Sequence, residues 1–314
     1  MFKRILVPLD GSAHAEQAIP IAARLARHNQ GSVILAQVVH IPTEYGIYAG
    51  APIAVAPALV DTDRADAEVY LRHAAQHEAL SGLHVETDAI IGLPAQDILD
   101  EITERHADAV VMSSHGRTGL GRWMLGSVAE HVARYAPVPV LILRHGEKLF
   151  KTTPQADRQP RILVPLDGSP LAEMALEPAA SLALAFGADL HLALVVMPLE
   201  AMRENMPDAL IVDGAKAYLS KVAHRMRAEH SGLDVSWSVG VNVDPAAAII
   251  RIAEEYEDTE GAGVSGGCDV IAMATHGRTG LNRWALGSVT ERVLHATRRP
   301  MLVVRAHRQE KAGS

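Results

Sequence analysis

The sequence predicts two α/β domains in tandem, each built on a parallel sheet that carries helices on both faces. Three observations predict this class. First, the segment RILVPLDGS occurs at 4–12 and again at 161–169, so one folding unit is repeated. Second, short aliphatic runs alternate with segments of helical pattern in each half, which indicates βα units with right-handed crossovers. Third, a glycine-rich stretch follows the fourth aliphatic run of each half, at 113–127 and 274–288.

Length and composition fit two domains of ordinary size. The chain has 314 residues, of which 48% are hydrophobic and only 4% aromatic, so we expect aliphatic, alanine-rich cores. A net charge of −8 argues against a general binder of nucleic acid or of anionic membranes. The single cysteine, Cys268, excludes an internal disulfide framework and fits a reducing compartment. No segment reaches the roughly 20 apolar residues of a membrane helix, and the N-terminal run is too short for a signal peptide, so we expect a soluble, cytoplasmic protein.

The predicted strands of the first half are short, and three of them are rich in Val, Ile and Leu on both faces. Such runs are typical of parallel strands that are buried on both sides. The second half repeats the pattern, so we predict a five-stranded parallel sheet in each domain. The predicted strands of the first half are Ile5–Leu9, Val33–Val39, His84–Ile90, Ala109–Met112 and Val140–Leu143.

Helix boundaries are indicated by capping residues and by chain breakers. Ser12 is a plausible N-cap of a first helix that ends before Gly31, and Pro94 opens a third helix that ends near His106. A second helix is predicted between them, from about Leu59 to Leu80. A fourth helix is predicted at Val128–Ala136, and its copy at Val289–Thr297. Other helices of the second half are predicted to start at Ser169-Pro170 and at Pro245.

The two domains are predicted at 1–146 and 160–314, joined by a linker at 147–159. The linker is charged and polar, contains Pro154 and has no periodic pattern. The second half also carries a polar, glycine-rich insertion near 258–267. Residues 261–266 in it spell G-x-G-x-x-G, but this stretch precedes a strand and opens no helix, so we do not interpret it as a dinucleotide fingerprint.

Each glycine-rich stretch stands between a predicted strand and a predicted helix, which is a favourable geometry for binding an anion. Glycines let backbone N–H groups approach a ligand closely, and a helix N-terminus adds unpaired donors and a positive dipole end. Gly126-Ser127 and Gly287-Ser288 stand where the helices begin. Their serines could cap the helix or bind a phosphate oxygen. An ordinary surface loop is the alternative interpretation.

Asp10 and Asp167 directly follow the first predicted strand of each half. In doubly wound sheets, ligands bind outside the carboxyl ends of the strands, so these carboxylates face the predicted crevice. They could accept a hydrogen bond from an adenine amino group or a ribose hydroxyl. The alternative is that each aspartate only begins an Asp-Gly-Ser turn that caps the next helix.

On these residues the chain resembles a tandem universal stress protein. That family carries Gly-x-x-Gly, then nine residues, then Gly-Ser or Gly-Thr, and many members bind ATP with this pattern. Gly116 and Gly126-Ser127 match its later part, and Gly277 and Gly287-Ser288 match it again. Ser113 and Ala274 stand where the pattern has its first glycine. The resemblance covers nearly the whole chain, twice.

The resemblance implies two Rossmann-like domains related by a pseudo-twofold axis, and a nucleotide-dependent stress-response regulator that binds ATP with Mg²⁺ in each half. It implies that the carboxylates of Asp10 and Asp167 contact adenine and that the backbone of Val38 and Val195 does so too. The full predicted set of nucleotide contacts is Pro8, Asp10, Val38, Met112, Ser113, His115, Gly116, Arg117, Gly119, Gly126, Ser127 and Val128 in the first half, and Pro165, Asp167, Val195, Met273, Ala274, His276, Gly277, Arg278, Gly280, Gly287, Ser288 and Val289 in the second.

No catalytic residue and no metal site of the protein's own is predicted. His115 and His276 are expected to brace the loop rather than act as bases, because no partner nucleophile is evident. His73 and His77 share a predicted helix face but lack a third ligand, so a solvated face is the preferred interpretation. The loop arginines could pair with phosphates or be solvated; they are Arg117, Arg122, Arg278 and Arg283.

Two other functions stay open. A slow ATPase is disfavoured because no general base or water-positioning carboxylate is evident in the loop. A nucleotide-free dimerisation or scaffold module is the third possibility. For assembly, we expect the edge strands Val140–Leu143 and Met301–Val304 to pair antiparallel, since an open apolar edge invites aggregation. The linker could span roughly 40 Å, enough for this intramolecular pairing, and a homodimer of the whole chain is also expected.

Overall fold

The computed structural model describes residues 1–40, 57–115, 125–144, 149–150, 159–198, 208–254, 267–276 and 286–306. The chain divides into two compact units, Met1–Val140 and Leu141–Ser314. The division falls inside strand β5 (Val140–Leu143). Most of the predicted linker lies outside the described residues, so its bounds stay a prediction.

The first unit alternates strands and helices along the chain. Its strands are β1 (Arg4–Leu9), β2 (Ser32–Val39), β3 (His84–Ile91), β4 (Ala109–Ser113) and the beginning of β5. Its helices are α1 (Ala13–Glu16), α2 (Ala18–His28), α3 (Pro57–Ala74), α4 (Pro94–Glu104) and α5 (Ser127–Tyr135).

The sheet of the first unit has the strand order β3-β2-β1-β4-β5. The ladders of β1 with β2, β1 with β4 and β2 with β3 are parallel. The backbone N–H of Val110 on β4 donates to the carbonyl of Pro139, 2.9 Å away, just before β5 begins. Strand β1 therefore lies in the middle of the sheet, and the chain crosses to β2 on one side of it and returns to β4 on the other.

The core of the first unit is aliphatic, as its composition predicts. Ile5, Leu6 and Val7 on β1 are fully buried, which a central parallel strand covered on both faces requires. Helix α2 lies against β1, β2 and β4 and is rich in alanine on its buried side. Small side chains let the helix backbone come close to the branched residues of the strands.

The second unit repeats this plan with the strand order β10-β9-β6-β7-β8. Its strands are β6 (Arg161–Leu166), β7 (Asp189–Val196), β8 (Val235–Val241), β9 (Val270–Ala274) and β10 (Met301–Val304). Its helices are α6 (Pro170–Glu173), α7 (Leu176–Phe186), α8 (Asp208–Glu229), α9 (Pro245–Glu254) and α10 (Ser288–Ala296). The predicted class, two α/β domains in tandem with parallel sheets, is confirmed. Among the described helices, none combines the length and apolarity that crossing a membrane demands.

Two helix predictions were wrong in detail. The segment after Ser12 forms two helices, α1 and α2, instead of one, although Ser12 does cap the first by accepting from the N–H of Ala15 at 3.1 Å. The segment predicted to run to Leu80 ends as α3 at Ala74, and a 3₁₀ turn follows at Glu78–Leu80. His77 caps that turn through its Nδ1, with an extended backbone, so His73 and His77 do not share a helix face.

Candidate functional site

The carboxyl ends of the central strands bring the predicted residues to one edge of each sheet. In the first unit, β1 ends just before Asp10, β2 ends just after Val38, and β4 ends at Ser113. Since β1 has β2 on one side and β4 on the other, this edge is the topological switch point where open α/β sheets bind ligands. The second unit places Asp167, Val195 and Ala274 at the same three positions.

Each aspartate begins a tight turn. Asp10 Oδ1 accepts from the backbone N–H of Ser12 at 3.0 Å and from its hydroxyl at 2.6 Å. Between them, Gly11 has φ +82°, which a residue with a side chain rarely adopts. Asp167 repeats the turn, with Oδ1 accepting from the N–H of Ser169 at 2.9 Å. The turn role of both aspartates is therefore present, and it uses Oδ1 while both side chains stay partly exposed at the sheet edge.

Ser113 and Ala274, which replace the first glycine of the family pattern, are the last residues of β4 and β9. Both are buried, and neither is among the residues with positive φ in the described ranges, so neither backbone position requires a glycine. The hydrogen bonds at these two positions differ between the units. The Ser113 hydroxyl donates to the carbonyl of His115 at 2.8 Å, whereas the carbonyl of Ala274 accepts from the Thr290 hydroxyl at 2.9 Å.

The two histidines lie at the start of the loops in matching environments. Nδ1 of His115 lies 3.1 Å from the hydroxyl of Ser114, and Nδ1 of His276 lies 3.1 Å from the hydroxyl of Thr275. Both rings are partly buried. Each ring is held at Nδ1 by the hydroxyl of the residue before it, and the bracing of the loop stays a prediction.

Glycine closes each loop where the chain returns to the sheet. The N–H of Gly126 donates to the carbonyl of Ser114 at 2.8 Å, and the N–H of Gly287 to that of Thr275 at 2.7 Å. A Cβ atom at Gly126 would stand 2.9 Å from the Ser114 oxygen, and one at Gly287 3.0 Å from the Thr275 oxygen. Such contacts leave no room for a side chain. Packing alone therefore favours glycine at both positions, in addition to the predicted role toward phosphates.

Glycines, not serines, cap the helices that follow. Gly126 and Gly287 occupy the N-cap positions with extended backbones, and a glycine has no side chain with which to form a capping bond. Ser127 and Ser288 are the first helical residues and are exposed. The prediction that serine caps the helix was wrong, because the glycine occupies the capping position one residue earlier. Backbone donors of each first helical turn and a serine hydroxyl are thus presented together.

Other predicted residues flank this edge or lie outside the described residues. Met112, Met273 and Pro165 are buried in the sheets, whereas Pro8, Val128 and Val289 are partly exposed. The loop residues outside the described ranges are Gly116, Arg117, Gly119 and Arg122 in the first unit and Gly277, Arg278, Gly280 and Arg283 in the second. Most of the glycine-rich insertion near 258–267 also lies outside them.

A pair of tyrosines beside the turns was not predicted from the sequence. Tyr70 on α3 donates to Glu16 at 3.0 Å, and Tyr218 on α8 donates to Glu173 at 2.8 Å. Each glutamate is the last residue of the short helix that follows the Asp-Gly-Ser turn. The available signal was the recurrence of Tyr-Leu at 70–71 and 218–219 in the repeat.

Fold and site together define a class: two doubly wound α/β domains, each with a carboxylate turn and a glycine-closed loop at the switch point. The family model described as "Universal stress protein family" matches residues 1–144 and 160–305. The chain belongs to the universal stress protein family.

Similar proteins span both the single-domain and the tandem length. A universal stress protein of Methanocaldococcus jannaschii is 30% identical over 148 residues, which cover 47% of this chain and 85% of that protein. A universal stress protein of Mycolicibacterium smegmatis is 26% identical over 311 residues and 96% of both chains. The crystal structure of a universal stress protein from Archaeoglobus fulgidus matches with a TM-score of 0.68 at 22% identity, over 97% of this chain and 99% of that one, which shows a shared fold.

Proposed function

We propose that each unit binds ATP together with Mg²⁺ at its switch point, and that the chain acts as a nucleotide-dependent regulator in a stress response. The observation that carries this proposal is that both units bring a carboxylate turn and a glycine-closed helix start to the same sheet edge. The residues concerned are Asp10 with Gly126 and Asp167 with Gly287. Both copies of the repeat carry this arrangement, which an ordinary surface loop does not require.

The roles of the residues follow from their chemistry. Asp10 and Asp167 accept a hydrogen bond from the adenine amino group, next to the backbone of Val38 and Val195. The phosphates lie at the starts of α5 and α10, where unpaired N–H groups and the positive end of the helix dipole favour an anion. The hydroxyls of Ser127 and Ser288 are exposed there and are oxygen donors of the kind that Mg²⁺ accepts beside phosphate.

Binding without rapid turnover is the preferred form of this function. A slow ATPase would need a group that activates water, and no general base or water-positioning carboxylate is evident in the loop sequences. A nucleotide-free scaffold would be favoured if Ser113 and Ala274 distorted the loop base, but both lie in strands without strained backbones. A cytoplasmic location and a homodimer stay predictions.

Calorimetric titration with ATP and Mg²⁺, together with mass spectrometry of the purified protein for retained nucleotide, tests this proposal. We expect two equivalents of ATP per chain with micromolar-range affinity, on the order of 8 kcal/mol each. Titration with GTP is the matched control for the base. Absence of both heat and retained nucleotide would favour the scaffold, and steady release of ADP would favour the ATPase.

A further inference from the structure

We propose that Tyr70 and Tyr218 are positioning residues of the two nucleotide sites, and that they act by holding the Asp-Gly-Ser turns and so the direction of the aspartate carboxylates. This inference rests on the proposed function, because it concerns how the same site recognises adenine. Neither tyrosine belongs to the glycine-rich pattern, and each lies on a helix distant in sequence from the turn that it contacts.

In the first unit, one hydroxyl joins α3 to the segment that follows the turn. Tyr70, on α3, donates to Oε1 of Glu16 at 3.0 Å, and Glu16 ends the short helix α1. The tyrosine therefore anchors the far end of the segment between Gly11 and Glu16. That segment contains Ser12, which supplies the two hydrogen bonds to Asp10.

The second unit has the same tyrosine–glutamate hydrogen bond, with an added contact from an arginine. Tyr218, on α8, donates to Oε1 of Glu173 at 2.8 Å, and Glu173 ends the short helix α6. Arg225, also on α8, contacts the other oxygen of Glu173 at 2.6 Å. The glutamate is thus anchored to the long helix through both of its oxygens. The tyrosine–glutamate bond is the part that the two units share.

Each tyrosine hydroxyl is a hydrogen-bond donor at neutral pH, as for an ordinary tyrosine. Burial, followed by the bond to Glu16 and by the charges of Glu16 and Asp10, raises the pKa of Tyr70 further. Burial and the corresponding acids, Glu173 and Asp167, raise the pKa of Tyr218 in the same way. A phenylalanine would leave the glutamate without this donor and the turn without its anchor.

An anchored turn matters to a ligand because a carboxylate accepts one directed bond best when its orientation is already fixed. Loss of the anchor leaves the aspartate in place but lets the turn move. We expect the resulting loss of affinity to be on the order of tenfold, the size of one net hydrogen bond. The loss should concern only the contact that the aspartate makes with the base.

The test compares the full-length parent with the Tyr70→Phe/Tyr218→Phe variant in calorimetric titrations with ATP and with purine riboside triphosphate, which lacks the amino group. Both titrations are repeated in an Asp10→Ala/Asp167→Ala background. Tyr135→Phe, on α5, is the matched control, and thermal unfolding verifies that every variant is folded. We expect ATP to bind about tenfold more weakly to the double tyrosine variant. We also expect the affinity for purine riboside triphosphate to be unchanged. In the aspartate background, the tyrosine substitutions should cause no further loss of ATP affinity.

Three results would overturn this assignment. Unchanged ATP affinity would show that the tyrosines do not act on the site. Equal weakening of both nucleotides, or the same weakening with and without the aspartates, would show a general structural role. A parent that binds no ATP would reject the proposed function itself, and this outcome is recognised before any tyrosine is changed.

Discussion

At the scale of the residue, His191 shows how a polar side chain is accommodated in the sheet of the second unit. Its ring is 5% exposed, and its nitrogens lie 2.9 Å from the hydroxyl of Ser236 and 2.8 Å from that of Ser238. Ser236 itself donates to the carbonyl of Leu190, so it accepts from Nδ1–H of the histidine, and Nε2 then accepts from Ser238. Burial, followed by the charge of Arg161, lowers the pKa of His191 to about 4.

This histidine predicts a loss of stability in mild acid. Above a pH of about 6.5 the ring is neutral whether the chain is folded or not. Below it the unfolded chain takes up a proton that the folded chain refuses until about pH 4, so stability falls as the pH falls through this window. The full effect is on the order of 3 kcal/mol. Urea unfolding of the parent and of His191→Gln between about pH 8 and about pH 4 measures it.

The variant should lose part of the pH dependence, because glutamine keeps hydrogen-bonding groups but does not titrate in this range. An identical decline in both proteins would show that other groups cause it. At each pH the urea midpoints of the two proteins are compared directly, so the comparison does not depend on an extrapolated free energy of unfolding for the two-unit chain.

Asp10→Asn separates the two roles of the aspartate. Asparagine keeps an Oδ1 that can accept from Ser12, as Asp10 does now, so we expect the turn and the thermal stability to be retained. It replaces the other oxygen by an amide donor, which an adenine amino group cannot use. ATP affinity of the first unit should therefore fall by about 1.5–3 kcal/mol, the range for a charge-assisted hydrogen bond. Affinity equal to that of the parent in a titration would leave Asp10 as a turn residue only.

The sequence predicted some of these residues and not others for a physical reason. Asp10 and Gly126 belong to short local patterns, next to a strand end and a helix start, where spacing alone defines the geometry. Tyr70 and Glu16 are 54 positions apart, and their contact depends on how α3 packs beside α1. His191 looked like any strand residue, since its two serine partners come from the neighbouring strand β8.

At the scale of the element, strands were predicted more accurately than helices. The predicted bounds of β1, β2, β3 and β4 differ from the observed ones by one residue at an end, because polar residues flank each aliphatic run. The break at Gln17 between α1 and α2 is marked by Pro20, which has no N–H to donate to the carbonyl of Glu16 four residues earlier, and the prediction of one helix did not use this signal. The 3₁₀ turn beyond α3 is capped by the ring of His77, which in the sequence resembles one more polar helix position.

The glycine-closed loop yields a prediction about α5. Gly126→Ala should displace the start of this helix, because the added Cβ would stand 2.9 Å from the carbonyl oxygen of Ser114. We expect a loss of about 1–3 kcal/mol in stability, typical of an overpacked site, and loss of ATP binding by the first unit. Differential scanning calorimetry and ATP titration measure the two effects.

Gly214→Ala is the matched control for that substitution. Gly214 lies in α8, is exposed, and has no atom within 4 Å of the added Cβ. Alanine should therefore raise stability by up to about 1 kcal/mol through its higher helix propensity and leave binding unchanged. If Gly126→Ala behaved like Gly214→Ala, the closing role of Gly126 would be wrong.

At the scale of the whole molecule, the pairing of the edge strands β5 and β10 stays a prediction. It can be tested with cysteines at Ile142 and Val303 in a Cys268→Ser background. Oxidation should give a crosslink within one chain, because two apolar edges that pair leave the fewest exposed backbone groups. The two single-cysteine variants show how much crosslinking occurs between chains. Crosslinks only between chains, or none, would contradict the intramolecular pairing.

We expect the repeat to make two nucleotide sites, one in each unit. Native mass spectrometry of the chain with ATP and Mg²⁺ is the sharpest test, because it counts bound ligands on each molecule. The parent should carry two ATP, the single variants Gly126→Ala and Gly287→Ala one each, and the double variant none. A parent without bound ATP, or a double variant that still carries two, would show that the two units do not form these sites.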